Sequence, residues 1–325
     1  MRFRHTKKLF VIVACAALLH NTASIASASP DQQTSSVPSL QQDKPQTAEE
    51  KKRLTDQIQT WMDELAKQQP FATWSGADFT VEPLGPGTHS WYVSITAGGS
   101  KVGYMIVHAT ESGGFMLGEY GAGKRPLFDS DTLKQTLLQQ GVISKDSANS
   151  NGQPSFRAER LYVSGVLAVW RIVTADQEVL YADAATGDIL PTTDSTWSKA
   201  IVTADKAAGN AFPSSAGLRS KVYRNHYGAS FDIYAELPWL TNTAMKVKYA
   251  EQLTQPLEAN MPIRYVAELY NQTATFVWGV VGYQQWSNNA LYLALEEPDP
   301  EGTGRISELR YIRLTDLSKV GSFYR

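Results

Sequence analysis

The segment "VLYADAATGDILP", Val179–Pro191, decides the fold because it runs from an apolar strand into a turn of small residues. Asp183 or Thr186 can accept hydrogen bonds from backbone amides, and Gly187 can adopt the positive φ that such a turn needs. The segment therefore predicts a strand, a tight turn and a short last strand that together close a domain.

The chain before this segment predicts one helix followed by several strands. Thr47 and Glu50 form a capping-box pattern, and the helix should end before Pro70. Its apolar stripe, spaced for one face of a helix, is Leu54, Ile58, Trp61 and Leu65. The segments that follow are rich in β-branched and aromatic residues, with hairpin loops expected at Ala97–Ser100 and Glu111–Gly114.

A second helix and a pair of strands complete this part of the chain. Asp129 or Asp131 should cap a short helix that Gly141 stops. Residues 160–175 and 178–191 then predict the two strands of an antiparallel hairpin.

The order of these elements predicts an α+β fold in two domains. Residues 47–191 should form a helix packed on a mainly antiparallel sheet. Residues 192–325 should form a second α+β domain that also has an antiparallel sheet. This domain is expected to begin with long loops and to contain a helix broken at Pro256, followed by four strands.

The first 28 residues have the order of a secretory signal peptide. Basic residues precede the apolar run Leu9–Leu19, and Ala26–Ala28 has the A-x-A form of a cleavage site. Residues 29–46 are rich in Ser, Gln and Pro and predict a disordered linker. We expect a bacterial protein that is secreted or associated with the cell surface. The alternatives are attachment of a lipid to Cys15 and retention of the uncleaved leader as an anchor.

The composition argues against several classes of protein. Cys15 is the only cysteine and lies in the predicted leader, so disulfides, cysteine nucleophiles and thiolate metal sites are not expected after cleavage. The chain has 30 Lys and Arg, 32 Asp and Glu and no long basic run, so nucleic acid is not an expected partner. After the leader, no apolar segment approaches the length of about 20 residues that a transmembrane helix needs.

The closing segment resembles the end of the PepSY domain family, in which a strand leads through a D-A-x-T-G turn into a last short strand. Asp183, Ala184, Thr186 and Gly187 match that turn. The resemblance covers residues 47–191 and implies a helix packed on an antiparallel sheet. It also implies a role in binding or inhibition, because this family occurs in propeptides of secreted peptidases and in cell-envelope proteins.

The segment "ATFVWGVVGYQQWSNNALYLALEEP", residues 274–298, is similar to the late strands of secreted papain-like cysteine peptidases of the bacteriocin-processing type. Gly282 and Tyr283 match the Gly-Tyr pair that follows the catalytic histidine in that family. Here Phe276–Trp278 supply no histidine, and the chain after the leader has no cysteine. The resemblance therefore implies a degenerate pseudo-peptidase domain.

Histidine, acidic and aromatic residues supply the remaining candidate sites. His226, expected in a polar surface loop, is the candidate for acid–base chemistry. Four carboxylates have the spacing of a calcium loop, with a solvated acidic hairpin as the alternative: Glu297, Asp299, Glu301 and Glu308. Trp239, Tyr283 and Trp286 are candidates for contact with a peptide or glycan, Trp286 because it lies near a turn. The alternative is that these rings belong to the core, as most aromatic residues in this part of the chain should.

Three functions are compatible with these patterns. The first is a secreted, non-enzymatic protein without a cofactor that binds a peptide, a protein or cell-wall material, or regulates a peptidase. The second is an extracellular hydrolase with a carboxylate or Ser/His site. The third is a calcium-stabilised structural protein of the envelope. The sequence contains no recognisable catalytic set, and this favours the first.

Overall fold

A long antiparallel sheet, covered on its two faces by helices and by a smaller sheet, forms the centre of the molecule. The computed structural model describes residues 47–85, 89–144, 156–206, 220–296 and 308–325. The α-helices in these ranges are α1 (Ala48–Leu65), α2 (Ser130–Gln139), α3 (Asp194–Lys206), α4 (Pro238–Thr241), α5 (Glu251–Glu258) and α6 (Leu314–Val320). A 3-10 helix covers Phe71–Trp74.

The strands in the same ranges are β1 (Asp78–Leu84), β2 (Ser90–Ala97), β3 (Ser100–Ala109), β4 (Phe115–Gly123), β5 (Phe156–Ser164), β6 (Leu167–Thr174), β7 (Val179–Asp183), β8 (Val222–Tyr227), β9 (Ile263–Leu269), β10 (Ala274–Trp286), β11 (Leu291–Glu296), β12 (Glu308–Arg313) and β13 (Ser322–Tyr324). The large sheet has the order β1-β2-β3-β4-β12-β11-β10-β9-β13, and β8 pairs with the second half of β10. The small sheet has the order β5-β6-β7.

All pairings between these strands are antiparallel. The predicted α+β class with an antiparallel sheet is therefore confirmed. In the large sheet β4 pairs with β12, which places Tyr120 opposite Tyr311. This pairing joins the two parts of the chain that the sequence assigns to separate domains, 47–191 and 192–325.

Helix α1 begins at the predicted capping box. The Thr47 hydroxyl accepts from the Glu50 amide at 3.2 Å, and the Thr47 amide donates to Glu50 Oε2 at 2.8 Å. The predicted stripe is buried, with Leu54, Ile58, Trp61 and Leu65 all at most 4% exposed. It packs in one cluster with residues of β2, β3, β11 and β12: Val93, Met105, Tyr292 and Tyr311.

The opposite face of the large sheet has two coverings. Leu133 and Leu137 of α2, together with Trp170 of β6, pack with Tyr104 and Ile106 of β3. Residues of α3, α5 and α6 pack on β9, β10 and β11 in a separate cluster. The small sheet contributes side chains to both clusters, so it is buried on both faces.

Some predicted boundaries were wrong. Residues 160–175 do not form one strand, because the chain reverses at Gly165 between β5 and β6. A side chain at Gly165 would collide with Ile312. The predicted antiparallel hairpin is formed by β6 and β7, with Trp170 opposite Ala182.

The segment after Pro191 was predicted to consist of long loops but contains α3. In its first two turns Trp197 is buried at 5% exposure, whereas Ser198 and Lys199 are exposed, so the apolar period there is weak. Helix α5 continues through Pro256, where burial of Leu253 and Leu257 outweighs the one backbone hydrogen bond that proline removes. The last predicted strand ends at Arg313, where α6 begins.

Candidate ligand-binding cleft

A cleft of about 540 Å³ lies between α2, the turn after β7, the start of β12 and the first half of β10. Its volume is within the range of pockets that hold small ligands, roughly 300–1,000 Å³. The closing turn from which the sequence analysis began forms one of its walls.

That turn has a defined hydrogen-bond pattern. Asp183 Oδ1 accepts from the amides of Ala185 at 2.8 Å and Thr186 at 2.9 Å, and Gly187 has a φ of 77°. The predicted roles of Asp183 and Gly187 are thus confirmed. The Thr136 hydroxyl donates to the Thr186 carbonyl at 2.8 Å, which fixes the turn on α2.

Helix α2 is oriented by its cap. Asp129 Oδ2 accepts from the Thr132 amide at 2.8 Å, so Asp129 is the cap and not Asp131, which lies inside the helix. Burial alone would raise the pKa of Asp129, but the Lys101 ammonium and Thr132 hold it below its ordinary value. Lys101 comes from the start of β3, so this ion pair ties α2 to the large sheet.

The cleft side of α2 is polar and uncharged. Leu133 and Leu137 are turned into the core, which leaves the side chains at the intervening positions facing outward. Those that line the cleft are Thr132, Gln135, Thr136, Gln139 and the following Gln140. Gln140 Nε2 donates to Asp188 Oδ1 at 3.0 Å.

An aromatic wall comes from β10 and from the loop before α4. The ring of Phe276 is half-buried and stacks on Trp278, with centroids 5.6 Å apart and planes 12° from parallel. Tyr234 also lines the cleft and is 60% exposed. Trp278 is buried and also lines the cleft.

The floor of the cleft is a buried polar group that we call the floor cluster: Glu119, Arg310, Tyr104 and Tyr162. Arg310 Nε donates to Glu119 Oε1 at 2.9 Å, and Tyr162 donates to Oε2 at 2.8 Å. The Tyr104 hydroxyl also donates to Glu119, and Arg310 donates to the Gly165 carbonyl. Glu119 therefore accepts three donors, which compensates for its complete burial.

Burial and the neighbouring Glu119 charge raise the pKa values of Tyr104 and Tyr162 well above the ordinary tyrosine value. Both phenols thus stay protonated and act as donors. Because Tyr162 belongs to β5 and Arg310 to β12, the floor cluster links the small sheet to the large one.

The rim of the cleft has one ion pair. Glu308 Oε1 accepts from the Arg125 amide at 2.9 Å and lies 3.8 Å from Arg125 Nε. Asp183, Asp188 and Glu308 are the carboxylates of the described lining, and each bonds to a group of the protein itself. That lining contains no histidine, serine or cysteine. The arrangement favours binding by shape and hydrogen bonds over nucleophilic chemistry.

The predicted residue His226 lies elsewhere, on β8 and not in the expected loop. It stands opposite Tyr283 of β10, with ring centroids 6.2 Å apart. Arg224 Nη2 donates to Glu258 at 2.7 and 2.8 Å, and the Tyr283 hydroxyl donates to the same carboxylate. We call these four residues the surface cluster. The hydrogen bond from Tyr283, followed by the one from Arg224, lowers the pKa of Glu258.

The aromatic candidates do not converge on the cleft. Trp286 is a core residue and not an exposed contact residue: it is 2% exposed, and its Nε1 donates to the Tyr120 hydroxyl at 3.1 Å. The Tyr283 residue is also buried. Trp239, in α4, is half-buried and contacts Tyr234 edge to face, with centroids 6.4 Å apart.

The proposed calcium ligands Glu297, Asp299 and Glu301 lie outside the described residues, and Glu308 is the cleft residue that bonds Arg125. Among the described residues, no group of three or more His, Cys, Asp or Glu side chains could hold a metal ion. Cys15, the predicted leader 1–28 and the linker 29–46 also lie outside the described ranges.

A hydrogen-bonded serine and histidine lie outside the described lining of the cleft. The Ser90 hydroxyl and His108 Nδ1 are 2.6 Å apart on the paired strands β2 and β3. Burial lowers the pKa of His108 to about 4. Gly118 of β4 leaves room for the imidazole, since a Cβ there would overlap the ring.

Comparisons with known proteins gave no match: neither a family model nor a curated protein nor a solved structure resembles the chain. The PepSY-like and pseudo-peptidase resemblances thus stay predictions. Within the described part of the chain, no helix has the length and apolar character needed to cross a membrane.

Proposed function

We propose that the protein is a secreted or cell-surface bacterial protein without catalytic activity, and that the cleft beside α2 binds its ligand. One observation carries the proposal. The cleft places an exposed polar helix face against aromatic rings, while each carboxylate in its described lining is already bonded within the protein.

Rigid walls support this function. The turn is bonded to α2, α2 is tied to β3 by Lys101, and the floor cluster is internally satisfied. A ligand therefore meets a preformed surface and spends little free energy on ordering it. The exported location and the binding role implied by the PepSY-like ending point to cell-wall material as the ligand.

Cosedimentation of the purified protein with isolated bacterial cell walls tests the proposal. We expect the wild type to pellet with the walls. Phe276→Ala should bind about tenfold more weakly, because a tenfold change in Kd corresponds to about 1.4 kcal/mol, the size expected for the loss of one well-packed contact. Tyr249→Ala is the matched control, because Tyr249 is 67% exposed and does not line the cleft. Circular dichroism verifies that each variant is folded.

Three results would overturn the proposal: no wall binding by the wild type, wall binding that Phe276→Ala leaves unchanged, and hydrolysis of wall material by the purified protein. Loss of such hydrolysis in Ser90→Ala or His226→Ala would then assign the activity to a Ser/His site outside the cleft.

A further inference from the structure

We infer that the cleft recognises a neutral oligosaccharide, an inference that rests on the binding function proposed above. The first argument is the chemistry of the α2 wall. Gln135 and Gln139 are exposed, and the side-chain amide of each can both donate and accept hydrogen bonds. The Thr132 and Thr136 hydroxyls donate to Asp129 and to the Thr186 carbonyl, so toward a ligand they act as acceptors. Sugar hydroxyls both donate and accept, so these amides and hydroxyls complement them without any charge.

The second argument is the balance of charge. The cleft cations Arg125 and Arg310 pair with Glu308 and Glu119, and Asp188 bonds Gln140. A phosphate, a polyanion or a basic peptide would have to compete with these partners. A neutral ligand leaves them intact and avoids burying an uncompensated charge.

The third argument is the aromatic wall. Phe276 is half-buried and its ring stacks on that of Trp278, and Tyr234 is exposed in the same cleft. The C–H faces of a pyranose ring are apolar and flat, and they pack on the face of an aromatic ring. A cleft that offers both an aromatic surface for apolar faces and side-chain amides for hydroxyl edges fits a sugar ring better than it fits the one-sided edge of a peptide strand.

Titration calorimetry with defined probes tests the inference. The neutral probes are chitotetraose, cellotetraose and maltotetraose; tetragalacturonate is the anionic probe, and a blocked hexalysine is the cationic peptide. We expect at least one neutral tetrasaccharide to bind, and Phe276→Ala and Gln139→Ala each to weaken it about tenfold. Lys134→Ala, on the same helix but outside the described lining, should bind normally.

Gln139→Glu sharpens the test because it keeps the side-chain size but removes the donor. It should weaken a neutral sugar, whereas it would strengthen a cationic peptide. The inference is overturned if none of the three neutral tetrasaccharides binds, or if only the charged probes bind. The proposed cleft function survives that result when Phe276→Ala still reduces wall binding, and it fails separately when Phe276→Ala does not.

Discussion

The floor cluster and the surface cluster share one arrangement of arginine, glutamate and tyrosine in opposite surroundings. Each has an arginine paired with a glutamate that also accepts from tyrosine. In the floor cluster the Glu119 and Arg310 side chains are 0% and 6% exposed, whereas Glu258 and Arg224 are 37% and 44% exposed. Solvent screens the second pair and not the first, so the two ion pairs should contribute very unequally to the free energy of unfolding.

Removal of Glu119 should have the largest effect. Glu119→Ala leaves the Arg310 charge buried and two phenols without an acceptor, and we expect a loss of about 3–5 kcal/mol in the free energy of unfolding. Urea denaturation measures it. The double variant Glu119→Leu/Arg310→Met should recover much of this loss, because no unpaired charge remains. A loss below about 1 kcal/mol in Glu119→Ala would contradict the assigned burial.

A pH titration should reveal the next effect, at His108. Its pKa in the folded state is about 4, below the ordinary 6.5 of the unfolded chain. The resulting stability is present above pH 6.5 and is lost as the pH falls toward 4, by up to about 3 kcal/mol. The unfolding free energy of the wild type, minus that of His108→Gln, should therefore decrease as the pH falls from 6.5 toward 4. A difference that is constant with pH would refute the buried neutral imidazole.

Removal of one tyrosine hydroxyl from each cluster gives a second comparison of their contributions to stability. Tyr162→Phe removes one of three donors to Glu119 and should cost about 1 kcal/mol of unfolding free energy. Tyr283→Phe removes the matching donor to Glu258, where water can replace it, and should cost less. Equal losses in the two variants, measured under the same denaturation conditions, would show that burial does not set the difference.

The smallest effect should come from the exposed pair itself. Glu258→Gln removes the charge that Arg224 binds, but salt and water already weaken that attraction. We expect no measurable shift in Tm at physiological ionic strength. A clear drop in Tm would show that the exposed Glu258–Arg224 pair stabilises the fold, and it would contradict the expected difference between the two clusters.

Local signals in the sequence predicted much of the fold. The capping box at Thr47, the cap at Asp129 and the turn at Gly187 are all short-range patterns, and each has the expected geometry. The pairing of β4 with β12 was not predictable, because the choice of partner strand depends on packing between segments far apart in the chain. Helix α3 was missed because its first turns combine a single large apolar residue, Trp197, with small and polar residues.

The cleft was only partly predictable. The turn that forms one wall was recognised, but the amides of α2 are indistinguishable in sequence from any solvated helix face. The aromatic candidates Tyr283 and Trp286 are core residues, as most large rings are. Phe276, which does line the cleft, drew attention only as a position without histidine. What singles it out is its place in the sheet, and that is a three-dimensional property.

The β4–β12 pairing has a consequence for how the protein acquires its structure. The large sheet has β4 as an inner strand only when Glu308–Arg313 is present, nearly two hundred residues later along the chain. Contacts between residues so far apart in the chain slow folding, because the entropy of closing the intervening loop is lost before the strands form stabilising hydrogen bonds and contacts. During synthesis, the first four strands therefore present an open strand edge until the last segment arrives, and a chaperone that covers this edge would protect the chain from aggregation.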